Sequence, residues 1–217
     1  MAFTPFPELM TGLTDLANAV LAAVFIVLMR KFSSNARPWR WLMWAFFISN
    51  LTGAFYHTFA HSPDAKVIIW IFVAIPMAVV IACFTVCALT TVSKDNLKIA
   101  AIFNFPFCAV VLGVMIFAHL KWDASIKVYL VYAAVFALGS LAVMINQLIR
   151  KKKKSLLLYA IAVVIQIPAA IILVQEKLVL FTIFDHNSLY HFFFTATMIL
   201  IYFGVKSDEK TEKNENK

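Results

Sequence analysis

Long apolar runs alternate with short polar joints along this chain. Runs of about 20 apolar residues, enough to cross a bilayer as a helix, fall at roughly 9–29, 39–61, 67–92, 99–120, 128–149, 156–174 and 189–205. The pattern predicts an all-α polytopic membrane protein, a seven-transmembrane helical bundle over residues 1–205. The tail, residues 206–217 (KSDEKTEKNENK), is polar and lacks aromatic residues, so it reads as disordered. Pro76, Pro106 and Pro168 fall inside runs, where neighbouring helices accommodate a kink. The stretch after the sixth run, QEKLVLFTIFDH (175–186), reads as interfacial.

Composition agrees with this pattern. Hydrophobic residues make up 63% of the 217 and charged residues 14%, and mean hydropathy is +0.86, which excludes an ordinary soluble domain. The formal charge of +8 does not point to nucleic acid, because the cations sit in short joints beside the apolar runs. Fifteen Lys and Arg fall in the first, third and fifth joints and the tail, and four (Lys66, Lys121, Lys127, Lys177) on the other side. That asymmetry predicts an outside N-terminus and a cytoplasmic C-terminus. The run Arg150–Lys154 can also attract anionic lipid headgroups, each cation contributing roughly 1 kcal/mol near such a surface. Residues 1–8, MAFTPFPE, lack the basic start of a cleavable signal peptide, so the first run is expected to be retained. Cys83, Cys87 and Cys108 all lie in apolar runs and read as packing residues.

With the orientation assigned, polar residues can be given a depth, and the unusual ones gather on the outer half. Glu8, Thr11 and Asp15 are spaced i, i+3, i+7 and share one stripe of the first helix. His57 and His61 close the second helix, His119 closes the fourth, and Asp185, His186 and His191 open the seventh. An ionisable group inside a bilayer costs at least about 2.5–3.5 kcal/mol for Asp at a helix centre, so it ordinarily faces a cavity or a partner. Imidazoles at i, i+4 can direct two nitrogens at one ion, and a third ligand from another helix leaves a position for water. Bound zinc lowers the pKa of that water to about 7 and polarises a carbonyl, as amide or ester hydrolysis requires. The blander readings are a snorkelling interfacial pair for His57 and His61, and for Asp15 a helix-locking contact. Ser49, two turns before His57, is a candidate catalytic hydroxyl or a packing serine. No GxSxG elbow, phosphate-binding glycine loop or CxxC pair is present.

Three short motifs carry a family likeness. The second helix, with Ser49 and His57 in SNLTGAFYHTFAHS, and the start of the seventh, HNSLYH (186–191), resemble the superfamily of alkaline ceramidases and progestin/adipoQ receptors. PELMTGLTDL and HNSLYHFF look like a small seven-helix membrane family within it. The resemblance implies a zinc-dependent hydrolase with His57, His186 and His191 as ligands and Ser49 as the second-helix serine. That family's serine lies one turn before its histidine, where this chain has Gly53, and its histidine pair is spaced HxxxH, whereas His186 and His191 are five apart. An i, i+5 pair points about 140° apart on a regular helix, so His186 must sit on the preceding loop to share an ion.

These features predict a membrane hydrolase of ceramidase type, catalytic residues Ser49 and Asp15, metal ligands His57, His186, His191 and His61, acting on a lipid amide or ester among the membrane lipids. A receptor or transporter using the outer His/Asp cluster for ligand or proton binding is the alternative. A third reading makes the cluster a hydrogen-bonded cap joining the first, second and seventh helices.

Overall fold

The computed structural model describes residues 6–59, 63–93, 95–122, 124–174, 179–180 and 183–215. The elements are α1 (Phe6–Met29), a 3-10 turn (Ser34–Ala36), α2 (Arg37–Phe59), α3 (Pro63–Thr90), α4 (Asn96–Trp122), α5 (Ser125–Lys151), α6 (Lys154–Val164), α7 (Gln166–Leu173), strands β1 (Val179–Leu180) and β2 (Phe184–Asp185), and α8 (His186–Glu215). Six helical stretches among the described residues are long and apolar enough to cross a membrane, one of them α6 and α7 together. α2 has the length, at 23 residues, but carries Arg37, Arg40, Asn50, Thr52 and His57 and is not one of the six. The chain is an all-α helical bundle of membrane-protein character.

Backbone chemistry accounts for several boundaries. Pro63 opens α3, where its missing N–H costs nothing. Pro76 and Pro106 lie within continuous helices. Pro168 does not: it cannot bond the carbonyl of Val164 and its ring crowds that group, and the sixth run divides there, α6 ending at Val164 and α7 starting at Gln166. Part of the interfacial stretch forms an antiparallel pair, Val179 opposite Asp185 and Leu180 opposite Phe184.

α8 begins three residues earlier than its apolar run and continues to Glu215, through ten of the twelve residues read as a disordered tail. The polar residues there find partners that a tail would lack. Asp208 accepts hydrogen bonds from the hydroxyls of Ser155 (2.6 Å) and Tyr159 (3.0 Å). Glu209 accepts from the Ser33 N–H at 2.8 Å, and Glu212 from the Asn35 amide at 2.8 Å and the Ser33 hydroxyl at 3.2 Å.

One large core lies where α1, α2, α6 and α8 meet, around Met29, Phe46, Tyr159, Met198 and Ile201. Trp39 stacks on Tyr159 at 4.1 Å, and Gly204 leaves room for the Tyr159 ring against α8. A second, smaller core of Cys108, Met115, Tyr129 and Tyr132 joins α3, α4 and α5. All three cysteines are buried and free, as packing residues are. α1 is thus seated between α2 and α8, and its N-terminal half is where their ends converge.

Candidate metal centre

The polar stripe of α1 organises this end of the bundle. Glu8, Thr11, Asp15 and Asn18 fall within about 80° of helical arc, and each engages another element. Glu8 Oε1 lies 3.5 Å from His57 Nδ1 on α2. The Thr11 hydroxyl donates to Asp185 Oδ1 at 2.8 Å, and its oxygen lies 2.8 Å from Ser188 Oγ. Asp15 Oδ1 is 3.1 Å from His191 Nδ1 on α8. The Asn18 amide donates to the His191 carbonyl at 3.1 Å, and its oxygen accepts from the Thr195 hydroxyl.

Each partner is in turn fixed by its own element. Asp185 is the N-cap of α8: its Oδ1 accepts the Ser188 N–H at 2.8 Å and the Ser188 hydroxyl at 2.9 Å, which closes the first turn. Burial alone would raise the Asp185 carboxyl, but these bonds, the Thr11 hydroxyl and the neighbouring His186 together hold it below the usual carboxylate value. On α2, Gly53 gives Asp15 its room. A Cβ at Gly53 would lie 2.5 Å from Asp15 Oδ2 and 3.0 Å from its Cγ. Gly12 does the same from α1, since a Cβ there would stand 2.9 Å from Thr58 Oγ1. Small residues on both helices therefore let α1 and α2 approach closely.

Asp15, His57 and His191 form the resulting group, with one ligand atom of each within 4.8 Å of the other two. Three helices supply it, and Asp15 is only 2% exposed. The donor set fits a zinc-type ion on three counts. Bonds of about 2.0–2.1 Å in a tetrahedral site separate ligand atoms by about 3.3 Å, close to the 3.1 Å between Asp15 and His191. That pair is near enough to hydrogen bond yet not aligned for it, so His191 Nδ1 is left without a hydrogen bond, as is the other carboxylate oxygen of Asp15. One carboxylate and two imidazoles also leave a coordination position open.

The expected ligands thus divide. His57 and His191 converge. His186 is the first residue of α8 and not part of a preceding loop, so its five-residue spacing turns it away from His191, and it stands outside the group. Asp15, expected to be catalytic, takes the third position. His61 lies outside the described residues. Ser49 lies eight residues before His57, about 12 Å along α2, and its carbonyl accepts the Thr52 hydroxyl. His119, on α4, stacks on Trp70 at 4.4 Å and lies 3.4 Å from Ser125. Neither Asn18 nor Gly53 is a site candidate from the sequence alone. Asn18 continues the i, i+3 spacing of the stripe, whereas nothing along the chain announces what faces Gly53.

An apolar cavity of about 400 Å³ lies among α2, α3, α5, α6, α7 and α8, and Asp15, His57 and His191 are not part of its lining. Tyr190, adjacent to His191, forms part of its wall, with Tyr129, Phe194 and Gln166. Leu138 and Ile171 carry it to the outer surface of the bundle, where they are 57% and 58% exposed.

Fold and site together define a helical membrane-type bundle with a His/Asp cluster at one end, its carboxylate buried and its imidazoles partly so. No curated protein matches the sequence. A family of unknown function, DUF6962, matches residues 10–210, and the chain belongs to it.

Proposed function

We propose that this chain is a seven-span membrane hydrolase that holds one zinc ion between Asp15, His57 and His191 and cleaves a lipid amide or ester on the non-cytoplasmic side. The observation that carries this reading is the convergence of a buried carboxylate and two imidazoles from three helices. Charge on Asp15 at this depth is costly, and a divalent cation offsets that cost. The kinship with ceramidases and progestin/adipoQ receptors belongs to the same proposal, with Asp15 in the place that the resemblance gave to His186. α2 is the seventh span: its less apolar face turns toward α1 and the cluster. The excess of Lys and Arg at the opposite end sets the orientation.

Zinc would supply a polarised carbonyl and a water that is nucleophilic near neutral pH. The remaining work falls to the chain. Asp15, His57 and His191 hold the ion, and Asn18 fixes the turn of α8 that carries His191. The cavity beside Tyr190 takes the apolar part of the substrate, which reaches it from the bilayer between α5 and α7. Ser49 stays outside the reacting centre in this reading.

The test is metal content. Protein purified after zinc supplementation is expected to carry one zinc per chain, lost in His57→Ala and His191→Ala and kept in His186→Ala. Wild-type protein without zinc would sink the proposal. It would favour the alternative of a proton-coupled transporter, which the alternation of carboxylate and imidazole from Glu8 through His57 to Asp15 and His191 would suit.

A further inference from the structure

We propose that Glu8 is the positioning residue of this centre: it holds His57 as the Nδ1–H tautomer and so leaves the lone pair of Nε2 for the point shared with Asp15 and His191. The inference deepens the zinc reading and rests on it for its purpose, but its claim about the imidazole can be measured without any ion.

The argument starts from the neutral ring, which carries one N–H and one lone pair. Glu8 Oε1 stands 3.5 Å from His57 Nδ1. The two atoms do not hydrogen bond in this geometry, but an anionic oxygen at this range still attracts an N–H and repels a lone pair. The ring has little freedom to choose otherwise. Its Cβ packs 3.5 Å from the position that a Cβ on Gly12 would take, Tyr56 meets it edge-on at 5.1 Å, and its side chain is only 15% exposed. Glu8 is more exposed, at 33%, and so lies at the rim, with Lys66 and Asp185 close enough to act on its charge.

The spacing along α1 gives the pair its meaning. Glu8 precedes Asp15 by two turns on the same stripe, so one helix face supplies both a coordinating carboxylate and an orienting one. A carboxylate behind a metal-binding imidazole fixes its tautomer and raises its basicity, and losing it costs about 10–100-fold in metal affinity. A plain surface ion pair between α1 and α2 would do neither.

The experiment uses full-length protein with ¹⁵N-labelled histidine, freed of metal and held at about pH 8.5, where an ordinary imidazole is neutral. His57 is expected as Nδ1–H in the wild type, to shift several-fold toward Nε2–H in Glu8→Gln, and to return in Glu8→Asp. Zinc titration of the same proteins should give an affinity about 10–100-fold lower for Glu8→Gln, with the metal-free melting temperature unchanged. A wild-type His57 already protonated on Nε2, or a tautomer indifferent to Glu8→Gln, overturns the assignment. If the tautomer follows Glu8 but the wild type takes up no zinc, the assignment of Glu8 stands and the hydrolase reading falls.

Discussion

Gly53 decides how closely Asp15 can approach α2, because a Cβ at that position would overlap the carboxylate. Gly53→Ala is therefore expected to push Asp15 off its position, at a cost of about 1–3 kcal/mol, as for other overpacked sites. On the proposed zinc reading, zinc affinity should fall about tenfold or more with it. Thermal melting in detergent and zinc titration check this, and a variant that melts and binds like the wild type would mean that Asp15 is not held there. Part of the centre was legible at this scale. Asp15 and His57 stood out because charge and imidazole are rare inside apolar runs, and Asn18 continued a spacing already visible in Glu8, Thr11 and Asp15. Gly53 could be read only as a missing serine. A glycine's value lies in what faces it across a helix interface, and no periodicity along one chain segment encodes that. The place of His186 turned on where α8 begins, a boundary that the Asp185 cap sets three residues before the apolar run.

That cap also makes the start of α8 sensitive to pH. The Asp185 carboxyl is held below its usual value in the folded chain, so its contribution is complete above the unfolded value of about 3.9 and is lost as pH falls through the lower folded one. Asp185→Ala is expected to cost about 0.5–2 kcal/mol, the range for lost caps. The difference from wild type should hold steady from about pH 5 to 8 and shrink below about pH 4. Melting curves across that range measure it, and a gap that persists undiminished into acid would show that the side chain acts through something other than its charge. Helix existence was readable from hydropathy for most elements, because runs of about 20 apolar residues have few other fates. Helix continuity was not. Pro76, Pro106 and Pro168 have the same local chemistry, yet only at Pro168 does the helix divide, so the outcome depends on the packing around each freed carbonyl.

The molecule has two organised ends, and α8 reaches both. At one end it carries His191 and the Asp185 cap. At the other, Asp208 and Glu209 grip α6 and the joint between α1 and α2, where the Arg40 guanidinium also donates to the Met29 carbonyl that ends α1, at 3.2 Å, and to the carbonyls of Phe32 and Ser33 in the joint. Truncation after residue 205 is therefore expected to lower the melting temperature by about 5 °C or more, at about 2–4 °C per kcal/mol for a chain of this size. An unchanged melting temperature would mean that these contacts carry no stability. Composition could not reveal this strap, since a polar segment remains loose only if nothing else offers it partners, and here Ser33, Asn35, Ser155 and Tyr159 do. With 30 residues, α8 is a single rod about 45 Å long. Removing one residue between His191 and Asp208 would turn one end against the other by about 100° and draw it in by about 1.5 Å. The exposed positions between them can change their letters but not their count, so substitutions should be tolerated away from Met198, Ile201 and Gly204, which pack the core, whereas single-residue insertions or deletions should be selected against.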